Sequence, residues 1–180
     1  MTLQIQRARR RLAHISTPAQ LKTLGRDEFE GYASLFNVPD SAGDIVAPGA
    51  FAASLRNNAG RIRMLYQHLA AEPIGVWEEM REDTRGLYVK GRILTDLERG
   101  RDVLALLREG ALGGLSIGFR TQRARRDPAR GLRTLIEVEL WEVSVVTFPL
   151  LKESFVTAIG AKAAELAAVI RQAAALLRAA

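Results

Sequence analysis

Apolar and polar positions alternate with period two through much of the stretch between residues 28 and 148, a pattern that predicts a domain built mainly of strands. From Glu28 to Val38, Phe29, Gly31, Ala33 and Leu35 oppose Glu30, Tyr32, Ser34 and Phe36, giving a strand with one small-residue face. Pro39 to Asp44 is turn chemistry, because proline fixes φ and Asp, Ser and Gly accept tight local geometry. Ala50 to Arg56 predicts a short helix that Asn57 to Gly60 ends. Arg61 to His68 then alternates Met64, Tyr66 and His68 against Leu65 and Gln67, so His68 is read as the last residue of a second strand. A loop through Glu72 and Pro73 is expected next. Beyond it, Ile74 to Met80 and Gly86 to Leu94 form an antiparallel hairpin across a polar turn.

The period then changes. Thr95-Asp96-Leu97-Glu98 has the spacing of a capping box, opening a helix that carries Val103, Leu104, Leu106 and Leu107 and stops at Gly110. Alternation resumes at once: Leu115, Ile117 and Phe119 share one strand face, and Ser116 and Gly118 share the other, which is almost bare. Asp127 to Gly131 is a turn into a returning strand, Thr134 to Phe148. There Ile136, Val138, Leu140 and Val146 set an apolar parity that also includes Glu142 and Ser144. A carboxylate on that parity is costly unless paired, so Glu142 is expected to have a partner. From Ala161 onward, Leu166, Val169, Ile170, Ala173 and Leu177 recur at helical spacing on an Ala-rich background. The organisation predicted is a basic N-terminal arm over 1–26, a central domain over 27–158 and an amphipathic helix over 159–180.

Composition narrows the chemistry. The 180 residues contain no cysteine, which excludes disulfides, thiolate metal sites and a cysteine nucleophile. Lys and Arg exceed Asp and Glu by 26 to 20, for a net charge of +6. Much of the excess is local, with six arginines between Arg120 and Arg133 and four between Arg7 and Arg11. Such blocks fit an acidic protein partner or nucleic acid, and equally the solvated turns of a soluble protein. No apolar run approaches the roughly 18 residues of a membrane span, and no signal-peptide pattern follows the basic N-terminus, so a soluble, non-secreted protein is expected.

Without cysteine, a nucleophile must come from Ser, Thr, Lys or a carboxylate, and a serine needs a base within hydrogen-bonding reach. His14 and His68 are the two imidazoles of the chain. His14 falls in the arm, which leaves His68 as candidate base for Ser116, with Glu142 suited to orient it. Each residue also has a plainer reading: a small serine in a Gly-rich connection, a structural histidine at a strand end, a carboxylate turned outward by a bulge. Two histidines so far apart in the chain do not make a metal site, and no phosphate-binding or dinucleotide motif is present, so no cofactor is expected.

Several segments in order resemble the tailed-phage prohead maturation proteases, a family related in fold to the herpesvirus capsid-assembly protease. The carriers are Gly31-Tyr32-Ala33-Ser34-Leu35-Phe36, Asp44 to Phe51, Met64-Leu65-Tyr66-Gln67-His68, Pro73-Ile74-Gly75, Gly86-Leu87, Gly110 to Phe119, and Glu142-Val143-Ser144-Val145-Val146-Thr147-Phe148-Pro149. The resemblance implies an α+β fold, a mainly antiparallel β-barrel surrounded by helices like that of the herpesvirus protease. The alternation is compatible with that fold without singling it out.

The resemblance further implies a serine endopeptidase with Ser116 as nucleophile, His68 as base and Glu142 as third member, where the herpesvirus relatives use a second histidine. Leu69 follows His68 where similar sequences commonly have aspartate. The implied substrate and partner is the major capsid protein or its scaffold segment, cleaved inside the immature capsid in the cytoplasm, with self-trimming and self-association and no membrane. Two rivals stand beside it: a catalytically inactive internal scaffold protein that keeps Ser116 and His68 but separates them or needs the shell to join them, and a nucleic-acid-binding module using the arginine hairpin with Arg123, Arg125 and Arg126. No aromatic residues interleave with those arginines, which counts against the second.

Overall fold

The computed structural model describes residues 24–160, together with the helical positions Gln172, Ala174, Leu176 and Arg178. The expected N-terminal arm and most of the C-terminal helix lie outside the described residues. In chain order the elements are β1 (Glu28–Leu35), β2 (Asp44–Val46), α1 (Ala52–Asn58), β3 (Arg63–Tyr66), β4 (Leu69–Glu82), β5 (Gly86–Ile93), α2 (Glu98–Arg108), β6 (Gly114–Asp127), β7 (Leu132–Val146) and β8 (Val156–Ile159). They form one eight-stranded sheet.

The long β6–β7 hairpin is the spine. Along one edge β7 pairs antiparallel with β6; along the other it pairs in parallel, first with β2 at Arg133–Leu135 and then with β3 at Glu142–Val145. From β3 the sheet continues antiparallel through β4, β5, β1 and β8. It then returns to its start, because Phe155, just before β8, bridges Gly114 at the head of β6. Leu115 N–H donates to Ser154 O at 2.9 Å and Val156 N–H to Gly113 O at 2.8 Å across this seam. The mainly antiparallel barrel is therefore the fold that forms, with two parallel pairings on β7 that alternation alone did not predict.

Between its two parallel partners, β7 has a stretch of edge with no strand beside it. The chain around α1 fills that gap. Val138 N–H donates to Ala50 O (3.0 Å), Ser54 Oγ donates to Val138 O (2.8 Å), and Leu140 N–H donates to Ser54 Oγ (2.8 Å). Ser54 is buried, so one hydroxyl satisfies two backbone groups that would otherwise be desolvated and unpaired.

A single apolar cluster fills the interior. It includes Phe29, Met64, Ile74, Leu87, Val89, Leu115, Leu135, Val138, Leu140, Val143 and Val145 from the strands, Phe51 beside α1, and Val103, Leu104 and Leu107 from α2. Full burial of one such large side chain contributes about 1.5–3 kcal/mol. Three local expectations change. The capping box does not form: Leu97 is the N-cap of α2 without a side-chain bond, and Thr95 Oγ1 instead donates to Asp27 Oδ2 at 3.3 Å. The loop expected at Glu72 and Pro73 is part of β4, whose pairing with β3 shifts register on both sides of the Leu65–Pro73 pair. An irregular register tolerates a proline that has no N–H to donate. His68 lies beyond the end of β3, as described below. The expected helix stop at Gly110 does form, at φ +72°.

Candidate active site

The site is assembled where β6, β7 and the turn after β3 meet. Gly118 pairs with Glu142 but Phe119 pairs with Leu140, so Trp141 is an extra residue bulged out of β7. It is 54% exposed. The bulge reverses the parity of everything after it: Val138 and Leu140 face the core, and beyond it Val143 and Val145 do. Glu142 and Ser144 are thereby turned to the opposite face, which corrects the expectation that Glu142 lies on the apolar parity. Ser116 and Gly118 share that opposite face, since Ser116 pairs with Ser144 and Gly118 with Glu142.

The bare strand face has a steric use. A Cβ added at Gly118 would lie 2.7 Å from Glu142 Cδ and closer still to Oε1. Only glycine lets the glutamate lie flat across β6.

Glu142 points to His68. The imidazole Nδ1 and Glu142 Oε1 are 2.6 Å apart, the expected partnership of that carboxylate. His68 reaches this position from a turn and not from the end of a strand: β3 stops at Tyr66, and Gln67 (φ 53°) and His68 (φ 60°) are both left-handed. That region is uncommon outside glycine and is held only where its surroundings enforce it. Here three contacts do so. Gln67 N–H donates to Val145 O (3.0 Å), the Gln67 amide binds the Thr147 hydroxyl (2.7 Å), and His68 N–H donates to Ser144 Oγ (3.0 Å).

Ser144 was legible only as a neighbour on the Glu142 face, yet it is fully buried and bonded twice. Besides accepting from His68 N–H, its hydroxyl donates to Glu142 Oε2 at 2.7 Å. Spacing of two residues on one strand was the available signal for it.

The electrostatics follow from this geometry. The hydrogen bond and charge of Glu142 hold the His68 pKa above its usual value of 6.5, against the opposing effect of partial burial. An ionised carboxylate only accepts hydrogen bonds, so the neutral imidazole carries its proton on Nδ1 and presents a lone pair at Nε2. The ring is 44% exposed and the glutamate 12%. Ser116 is 6% exposed on the neighbouring strand. Among the described residues its Oγ makes no hydrogen bond, to His68 or to any other group. The three sequence-predicted residues therefore come to one face, with two in direct contact and Ser116 one strand away in register with Ser144.

The arginine-rich hairpin is less basic than its sequence suggests. Arg120 pairs with Glu139 (2.8 Å), Arg123 lies 3.8 Å from Glu137, and Arg133 pairs with Asp44 across the β2–β7 contact. Arg125, Arg126 and Arg130 have no ion-pair partner among the described residues.

A serine, a carboxylate-bound imidazole and a bare glycine thus share one face of the barrel. Comparison with known proteins names the class: residues 14–169 match the model of the caudovirus prohead serine protease family, and the chain belongs to that family. It is a serine protease of capsid maturation. The prohead protease of Enterobacteria phage HK97 is 34% identical, with 79% of this chain and 70% of that protein covered. The prohead protease of Escherichia phage T5 is 28% identical over the same shares. In fold the chain is similar to the bacteriophage T4 capsid assembly protease, with a TM-score of 0.57 at 16% identity, covering 68% of this chain and 82% of that one.

Proposed function

We propose that Ser116 is the nucleophile of this protease, His68 its general base and Glu142 the group that orients and charges the base. The observation that carries the reading is the 2.6 Å contact between His68 Nδ1 and Glu142 Oε1 on the face shared with Ser116. In this reading Ser116 Oγ attacks the scissile carbonyl as its proton passes to His68 Nε2. Glu142 stabilises the imidazolium that forms, and the imidazolium then protonates the leaving amine. Water, activated by the same nitrogen, releases the acyl group. The hydrogen bond from serine to histidine forms with substrate in place, as commonly happens in sites that are loose when empty.

The substrate in this proposal is the scaffold segment of the major capsid protein, cleaved inside the immature capsid, followed by trimming of the protease itself. Residues 27–158 are the catalytic unit, and self-association accompanies packaging. Family membership and the relatives' names support a capsid substrate. Arg125, Arg126 and Arg130, exposed and without an ion-pair partner among the described residues, suit an acidic segment of it.

The test is to incubate the purified chain with its virus's capsid protein still carrying the scaffold segment, and to sequence the new N-termini. Wild type should produce a defined cut, and Ser116→Ala should reduce its rate by about 10³-fold or more. Equal cutting by the Ala variant would refute the assignment.

A further inference from the structure

We infer that Ser144 is a positioning residue of the proteolytic site, holding the base and its carboxylate in one rigid unit. This rests on the roles just proposed for His68 and Glu142 and adds a residue that those roles do not require.

The geometry is a closed ring of three hydrogen bonds. His68 Nδ1 meets Glu142 Oε1 at 2.6 Å, Ser144 Oγ donates to Glu142 Oε2 at 2.7 Å, and His68 N–H donates back to Ser144 Oγ at 3.0 Å. A hydroxyl has one proton to give and lone pairs to receive, and both capacities are used on the same two residues. Each component does something the others cannot. The bond to Oε2 fixes the second oxygen of Glu142, so the carboxylate cannot rotate away from the ring. The bond to His68 N–H anchors the backbone of a left-handed residue at φ 60° that no strand ladder holds. Ser144 is 0% exposed, so water cannot take over either bond.

Its place in the sheet adds a further consequence. Ser144 pairs directly with Ser116 on β6 and with Leu65 on β3, three positions before His68. It thus touches the base residue, touches the carboxylate and sits opposite the nucleophile. Ser144 forms no bond with substrate in this scheme; it acts through His68 and Glu142.

The experiment uses peptide-cleavage kinetics over a range of pH, with His68 followed by NMR in a Ser116→Ala, His14→Gln background that leaves a single imidazole. Ser144→Ala should lower kcat by about ten- to hundredfold, the range set by hydrogen bonds to charged groups, and leave KM within about twofold. The His68 titration should move to lower pH, since Glu142 no longer stays fixed against the ring. Ser144→Thr and Ser144→Val, which have the same shape, separate the hydroxyl from packing and decide the matter even if Ser144→Ala does not fold. Thr should restore both kcat and the titration, and Val should not. Equal behaviour of Thr and Val, or an unmoved His68 titration in the variants lacking the hydroxyl, would overturn the inference. Full activity of His68→Ala or Glu142→Gln would instead refute the catalytic assignment itself.

Discussion

Nδ1 of His68 lies 2.6 Å from Oε1 of Glu142, although the two residues are 74 positions apart in the chain. The parallel pairing of β3 with β7 brings them together, and a bulge at Trp141 turns the glutamate to the correct face. The consequences of this relationship can be measured separately on the base, on the space around the carboxylate, and on the scaffold that holds both.

The pH dependence should report the pair. Because Glu142 raises the His68 pKa, activity that needs the neutral base should rise with pH through a midpoint above the ordinary histidine value of 6.5. Glu142→Gln should move that limb to lower pH and reduce the plateau by about 10²-fold or more, though less than His68→Ala does. The stability contribution of the pair has the sign of a raised histidine. It is fully present below the unfolded pKa and lost as pH rises through the folded one, so the Tm gap between wild type and Glu142→Gln should narrow between a pH below 6.5 and one above the midpoint of the rate profile. Thermal melts at the two pH values, beside the rate profile, check both statements.

Gly118→Ala should separate activity from stability. The added methyl would collide with the Glu142 carboxylate and not with backbone. The glutamate can yield only by giving up its bonds to His68 and the buried Ser144 hydroxyl, so the protein should stay folded at a cost of about 1–3 kcal/mol. Yielding takes it off His68, and kcat should fall as in Glu142→Gln. Normal turnover in a folded Gly118→Ala variant would contradict the role given to that bare face.

Ser54→Ala should do the reverse. It leaves the buried Leu140 N–H and Val138 O without their shared partner, at a cost of about 1–3 kcal/mol. The bonds lie one and three residues before the bulge that aims Glu142. Denaturant unfolding should show a lower midpoint with an unchanged slope, and the fully folded fraction should keep its catalytic pH profile.

A fourth prediction concerns acid stability. Burial would raise the Asp83 carboxyl, but hydrogen bonds from Arg85 N–H, Tyr32 OH, Gly86 N–H and Arg81 outweigh it and lower the pKa to about 2. A depressed carboxylate contributes stability above its unfolded pKa and loses it as pH falls through the folded value. Asp83→Asn should therefore be less stable than wild type near neutrality and nearly equal to it below about pH 2, by denaturant titration across that range.

Period-two alternation made the strands and the β4–β5 and β6–β7 hairpins legible, because side-chain direction in a strand is a local property. The orientation of Ser116 and Gly118 was readable for the same reason. Glu142 was correctly expected to have a partner, but on the wrong face: whether Trp141 is bulged depends on how β6 pairs with β7, which no run of residues within β7 encodes. His68 was misplaced onto a strand because alternation continued through it, whereas the chain turns at Gln67 to enter β4. Thr95 had the spacing of a cap and was taken by Asp27, 68 residues earlier, a competition decided only in the folded state. Ser144 was visible as a small polar residue, but its two bonds depend on that same turn.

The most direct measurement is to treat the purified protein with a peptidyl phosphonate, a reagent that phosphonylates an activated serine, and to locate the adduct by mass spectrometry. A single adduct on Ser116 is expected, formed much more slowly in Glu142→Gln and absent in His68→Ala. An adduct on another serine, or equal labelling of Ser116 after removal of the imidazole, would contradict the catalytic assignment.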